Sequence, residues 1–193
     1  MKFTLQQKNI CRIILAVLLT AITLLIHCSN TPEDIFINSA EFDPMINVAA
    51  AKHSLPPALV RALIRQESKF NPCEVGRKGE IGLMQLLPAG AVAEWARLNK
   101  CPPPSRQELF SPELNLEIGC WYLARAIRRW HRYRCGTEMA LAQYNAGEKN
   151  VLRWKPDSFD GDFISRISWP GTKKYVVEII AHFRKDSAGS SCQ

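Results

Sequence analysis

From Glu41 onward, apolar residues recur at spacings of three and four, and no stretch sustains a period-two alternation, so the pattern predicts an all-α fold. A weakly amphipathic, Ala-rich helix is expected over 41–53. Ser54 and the Pro56-Pro57 pair open a second helix, because proline is tolerated in a first turn, and Asn71-Pro72 is expected to end it. Gly76, Gly79 and Gly82 make 76–87 an irregular or short β segment. Pro88 starts a helix to about Asn99, and Pro102-Pro103-Pro104 turns 100–111 into a loop. The longest stripe, Leu116, Cys120, Leu123, Ile127 and Trp130, predicts a helix from Pro112 to Arg134. Gly136 stops it, Thr137 caps a helix over 138–146, and Gly147 ends that one. After an irregular aromatic stretch holding Trp154, Phe159, Phe163 and Trp169, Thr172 opens a last helix carrying Tyr175, Val176, Ile179, Ile180 and Phe183.

The apolar run near the start has a different character. Ile13 to Ile26 carries no charge, follows Lys2, Lys8 and Arg12, and precedes the first acidic residue, Glu33. That layout is a secretory signal peptide over 1–27, and the run is short against the ~20 residues a membrane span needs. Leu25-Ile26-His27-Cys28 is similar to the lipobox of bacterial lipoproteins, in which the Cys is acylated, although His27 stands where that pattern has a small residue. Lipidation of Cys28, an uncleaved anchor and cleavage nearby are the alternatives. In each the protein is exported to the periplasm or cell envelope. Residues 28–40 then form a tether, 41–185 a single domain and 186–193 a tail.

Composition narrows the partner. The chain has 193 residues, enough for one domain with a real core, and its 22% charged and 9% aromatic residues exclude a disordered chain. The net charge of +7 suggests an anionic partner. Removing the leader leaves 22 basic against 18 acidic residues, which weakens a nucleic-acid reading. The cluster Arg125, Arg128, Arg129, Arg132 and Arg134 reads first as a solvated face and last as a membrane- or nucleic-acid-binding helix. An oxidising compartment favours disulfides, and no metal-ligand spacing is present. With Cys120 and Cys135 about 22 Å apart on one helix, the pairings left are 73–120 with 101–135, or 73–135 with 101–120. Cys192 is then the odd one; the alternative is that some of these thiols stay unpaired.

Glu67 follows the inward positions Val60, Leu63 and Ile64 by three to seven residues, which aligns a carboxyl with an apolar face. Poor solvation there raises its pKa and equips it as a general acid; pairing with an internal Arg is the plainer reading. The surrounding segments are Glu67-Ser68, Asn71-Pro72, Gly79-Glu80-Ile81-Gly82-Leu83-Met84-Gln85-Leu86-Leu87-Pro88 and Ala140-Leu141-Ala142-Gln143-Tyr144-Asn145-Ala146-Gly147. Together, in this order, they resemble the soluble lytic transglycosylase (SLT) domain, a lysozyme-like helical fold that cleaves bacterial peptidoglycan, over about 41–185.

The resemblance implies Glu67 as the single catalytic acid/base. It implies Ser68, Met84, Gln85, Tyr144, Asn145 and Tyr175 as substrate contacts around it, peptidoglycan glycan strands as partner, a monomer, and no cofactor or metal. Plainer roles are core packing for Leu83, Met84 and Tyr175, a helix-end cap for Ser68, and backbone geometry for Gly82. Three positions depart from the family pattern: Gln143 and Glu80 each replace a common Ala, and Gly171 replaces a common Glu. The implied reaction cleaves the bond between N-acetylmuramic acid and N-acetylglucosamine and closes a 1,6-anhydro ring. The rivals are a hydrolytic muramidase that uses Glu74, Glu80 or a loop Asp to activate water, and a non-catalytic glycan-binding envelope protein.

Overall fold

The structure is a computed structural model and describes residues 39–189. The expected leader, Cys28, most of the tether and Cys192 lie outside the described residues. Among the described residues, seven α-helices follow one another: α1 (Asp43–Lys52), α2 (Pro57–Glu67), α3 (Ala93–Asn99), α4 (Pro112–Trp130), α5 (Gly136–Ala146), α6 (Glu148–Trp154) and α7 (Pro170–Gly189). The all-α expectation holds. The only extended pairing among the described residues is a pair of isolated antiparallel bridges, Val75 to Ile81 and Ile81 to Leu86, in the glycine-rich segment.

Burial follows the sequence stripes. On α2, Leu59, Val60, Leu63 and Ile64 are essentially inaccessible, each worth about 1.5–3 kcal/mol of transfer free energy. The α4 stripe of Leu116, Cys120 and Leu123 is equally sealed. Helix α4 packs along α5, while α7 crosses both α2 and α5, so the end of α2 is enclosed by α5 and α7. Gly136 permits the tight junction between α4 and α5, since a Cβ there would stand 2.5 Å from the Trp130 carbonyl oxygen. No described helix is long and apolar enough to cross a membrane.

Several boundaries differ from expectation. Helix α2 ends at Glu67 rather than at Asn71-Pro72, because Lys69 and Phe70 adopt left-handed conformations that turn Phe70 into the core. Helix α4 ends at Trp130, so Cys120 and Cys135 do not share a helix. Neither expected cysteine pairing forms. Cys101, Cys120 and Cys135 are free, and Cys73 is disulfide-bonded. Cys120 is sealed in the core, where burial pushes its thiol up to about 12, while Cys101 and Cys135 point at the carbonyls of Ala96 and Gly161. Helix α6 lies in the stretch expected to be irregular; its seven residues are too few to show a period. Thr137 is not a cap: α5 already begins at Gly136. Helix α7 runs on into the expected tail. The arginines also divide: Arg125 pairs with Glu94 at 2.5 Å and Arg129 with Glu148 at 3.1 Å, while Arg132 and Arg134 lie beyond the helix.

Candidate active site

Glu67 is the last residue of α2, and its carboxyl reaches a cleft while its helix lies in the core. Burial dominates its electrostatics and pushes its pKa up to about 7. A hydrogen bond from the Tyr175 hydroxyl to Oε1 pulls in the opposite direction, and the negative charge of Glu80 adds a smaller upward push. A carboxyl with this pKa holds its proton near neutral pH and can still release it. Tyr144 and Tyr175 are themselves raised well above the ordinary phenol range, chiefly by burial, so both remain neutral hydrogen-bond donors.

The wall opposite Glu67 is the glycine-rich turn. Ile81 and Leu86 exchange backbone hydrogen bonds at 3.1 and 2.9 Å, and the Gly82 N–H donates to Glu74 O at 2.9 Å. Gly82 has a φ of +78°, and a Cβ on it would lie 2.4 Å from Asn115 Nδ2, so both conformation and space demand glycine. Asn115, wholly buried on α4, satisfies three backbone groups of this region. It accepts from the Met84 N–H at 2.8 Å and donates to Ile81 O at 2.8 Å and Leu109 O at 2.9 Å. Ser68 donates to Leu83 O at 2.8 Å, tying the residue after Glu67 to the same turn.

Helices α5 and α7 supply the rest. Tyr144 donates to Met84 O at 2.9 Å and packs edge-to-face with Tyr122, with ring centres 5.5 Å apart. Asn145, exposed at the end of α5, accepts from the Thr172 hydroxyl of α7 at 2.8 Å. Glu67, Glu80, Gln85, Tyr122, Tyr144 and Asn145 line a cleft of about 260 Å³. A second hollow of about 490 Å³, between Trp169, Lys174 and Tyr175, meets it at Lys78 and Asn145.

The structure thus gathers Glu67, Gln85, Tyr144 and Asn145 around one cleft, while Tyr175 lines the adjoining hollow and joins the site through its hydrogen bond to Glu67. Two expected substrate contacts are placed differently. The Met84 side chain is fully buried, packed where a Cβ on Gly119 would strike its Sδ at 2.3 Å, so only its backbone carbonyl serves the site. Ser68 is 5% exposed and its hydroxyl is committed to Leu83 O, leaving it a structural tie. Gln85 keeps a cleft position, but its amide donates to Gly82 O and Glu74 O and braces the turn. Gln143, replacing the common Ala, is accommodated because its Oε1 accepts the buried Trp130 indole N–H at 2.7 Å.

Sequence reasoning missed Tyr122, Lys78, Thr172 and Asn115. For Asn115 a signal existed: a polar side chain four residues before Gly119 on the inward half of α4, the same pattern that singled out Glu67. Tyr122, Lys78 and Thr172 carry no comparable pattern.

Because the Tyr175 hydrogen bond favours the Glu67 carboxylate, Tyr175→Phe is expected to raise the Glu67 pKa above about 7. The basic limb of the kcat/KM profile should move to higher pH. An unmoved limb across pH 5–9 would remove Tyr175 from the control of Glu67.

A helical domain with one buried acid at a helix end, facing a cleft walled by a glycine-rich turn, belongs to the lysozyme-like class of folds. The family described as "Transglycosylase SLT domain" matches residues 44–166, and the chain belongs to that family. A "Membrane-bound lytic murein transglycosylase C" of Yersinia pestis is 33% identical over 118 residues, 57% of this chain and 32% of that protein. Among solved structures, the lytic transglycosylase Slt of Pseudomonas aeruginosa, an inactive glutamate-to-glutamine mutant, superposes with a TM-score of 0.63 at 29% identity, covering 72% of this chain and 23% of that one. The 70-kDa soluble lytic transglycosylase of Escherichia coli superposes with a TM-score of 0.64 at 26% identity, covering 74% and 23%. This chain therefore spans about a third of its curated relatives' length and about a quarter of those structures.

Proposed function

We propose that the protein is a peptidoglycan lytic transglycosylase of the cell envelope, with Glu67 as its single general acid and base. The observation that carries this reading is the position of Glu67, a carboxyl at a helix end that burial raises to about 7 in a cleft it shares with Lys78, Gln85, Tyr122, Tyr144 and Asn145. Protonated Glu67 gives its proton to the glycosidic oxygen as the muramyl C1–O bond breaks, and the 2-acetamido group shields the developing positive charge at C1. The carboxylate so formed takes the proton of the muramyl C6 hydroxyl, whose oxygen closes on C1. The products are a 1,6-anhydromuramyl end and a free N-acetylglucosamine hydroxyl, and no water is consumed. The family and the named activities of the relatives support the reading, as does the neighbour inactivated at a single glutamate. The expected leader and Cys28 would carry the domain to the envelope, in keeping with relatives described as membrane-bound.

Glu80 supports a second reading, hydrolysis, because it lines the same cleft. Its Oε2 accepts the Lys78 N–H at 2.8 Å, which commits it to the turn and disfavours it as a base for water. Mass spectrometry of digested sacculi separates the two. Anhydromuropeptides are expected as the dominant product; reducing muropeptide ends would favour hydrolysis, and no release at all would favour a binding protein.

A further inference from the structure

We propose that Thr172 is a positioning residue that sets the orientation of the Asn145 carboxamide, so that its N–H₂ group donates into the cleft to a carbonyl acceptor such as the acetamido oxygen of an N-acetylhexosamine. The inference rests on the transglycosylase reading and concerns the same site. Thr172 is only 4% exposed, whereas Asn145 is exposed on the cleft. A hydroxyl has one proton, and that of Thr172 goes to Asn145 Oδ1 at 2.8 Å. With the oxygen held toward α7, Nδ2 is turned away from that helix, and Asn145 borders both hollows. A freely rotating amide would present either a donor or an acceptor to the sugar; with Oδ1 accepting from the Thr172 hydroxyl, as observed, it presents the donor.

The placement of Thr172 adds to this. It lies three residues before Tyr175 on α7, so the two occupy neighbouring positions on one helix face. Thr172 holds Asn145 and Tyr175 holds Glu67. One rigid helix therefore sets both the proton donor and the amide beside it, across two other helices, α5 and α2. The Thr172 side chain itself is buried, so it acts through Asn145.

The test uses kcat/KM on purified glycan strands across pH 5–9. Thr172→Val keeps the shape and removes the proton; a loss of about tenfold is expected, the scale of one hydrogen bond, and Thr172→Ser should restore most of it. The basic limb set by Glu67 should stay where it is, because Tyr175 is untouched. A general displacement of α7 would carry Tyr175 with it and move the limb. In an Asn145→Ala background, Thr172→Val should have no further effect. Wild-type turnover by Thr172→Val, no rescue by Ser, a moved limb, or full additivity with Asn145→Ala would each overturn the inference. If the Val variant does not fold, Asn145→Asp carries the test at pH 5–6. It keeps an acceptor for Thr172 but loses the cleft N–H, so wild-type turnover there would overturn the proposal as well. Absence of cleavage by the wild-type protein would instead sink the transglycosylase reading.

Discussion

Glu67→Gln is expected to lower turnover by about a thousandfold, within the range of a positioned general acid, while leaving glycan binding near the wild-type level. The glutamine keeps the shape of the carboxyl and can accept the Tyr175 hydrogen bond, but it has no proton to give and none to take back. The same change should stabilise the fold, with a definite pH dependence. The folded-state pKa of Glu67 is raised from 4.5 to about 7, so the native protein holds this proton more tightly than the unfolded chain. Wild-type stability from this group is intact below about pH 4.5 and is lost as pH rises through 7. The full shift corresponds to about 3 kcal/mol, which the carboxyl's partial exposure to the cleft reduces to ~2 kcal/mol. Urea unfolding at pH 8 should therefore find Glu67→Gln more stable than wild type by about that amount, and the difference should vanish near pH 4.5. Equal stability at both pH values would mean that Glu67 is not desolvated, and undiminished turnover would remove it from the chemistry.

Asn115→Leu should have the largest effect on stability. Leucine matches the side chain in shape, yet it strands the Met84 N–H and the Leu109 carbonyl in the interior and leaves the Ile81 carbonyl with only the Leu86 N–H. Two such groups left without partners cost about 2–4 kcal/mol together, a fall in Tm of ~5–15 °C for a domain of this size. Activity in any folded fraction should fall too, since the turn that Asn115 pins carries the carbonyl to which Tyr144 is bonded. A loss below ~1 kcal/mol would mean that water or a shift of the turn satisfies those groups.

Much of this was readable in the chain. Val60, Leu63 and Ile64 define the inward face of α2 through their spacing alone, and that face singles out Glu67 three residues further on. The glycine-rich turn was legible because Gly82 occupies a left-handed conformation that other residues adopt at a cost. Boundaries were less legible where tertiary packing overrides local signals. Lys69 and Phe70 end α2 early because Phe70 has a place in the core, which no propensity encodes. The cysteine pairings failed because a disulfide needs two Cβ atoms brought together in space, which spacing along the chain does not encode: Cys101, Cys120 and Cys135 stay free, and α4 itself ends at Trp130, short of Cys135.

Local spacing, then, determined the helical class, the inward stripes and the one carboxyl that a stripe leads to, since these depend on periodicities within a single element. The assembly of the site was decided in three dimensions. Tyr175 meets Glu67 across 108 positions, Tyr144 meets Met84 across 60, and Asn115 meets Met84 across 31. Contacts of that range, and the desolvation that raises the Glu67 pKa, arise only when α2, α4, α5 and α7 pack together. The motif residues suggested what could react, and packing decided that Met84 and Ser68 support the site from behind while Asn145 borders it with Thr172 bonded behind it.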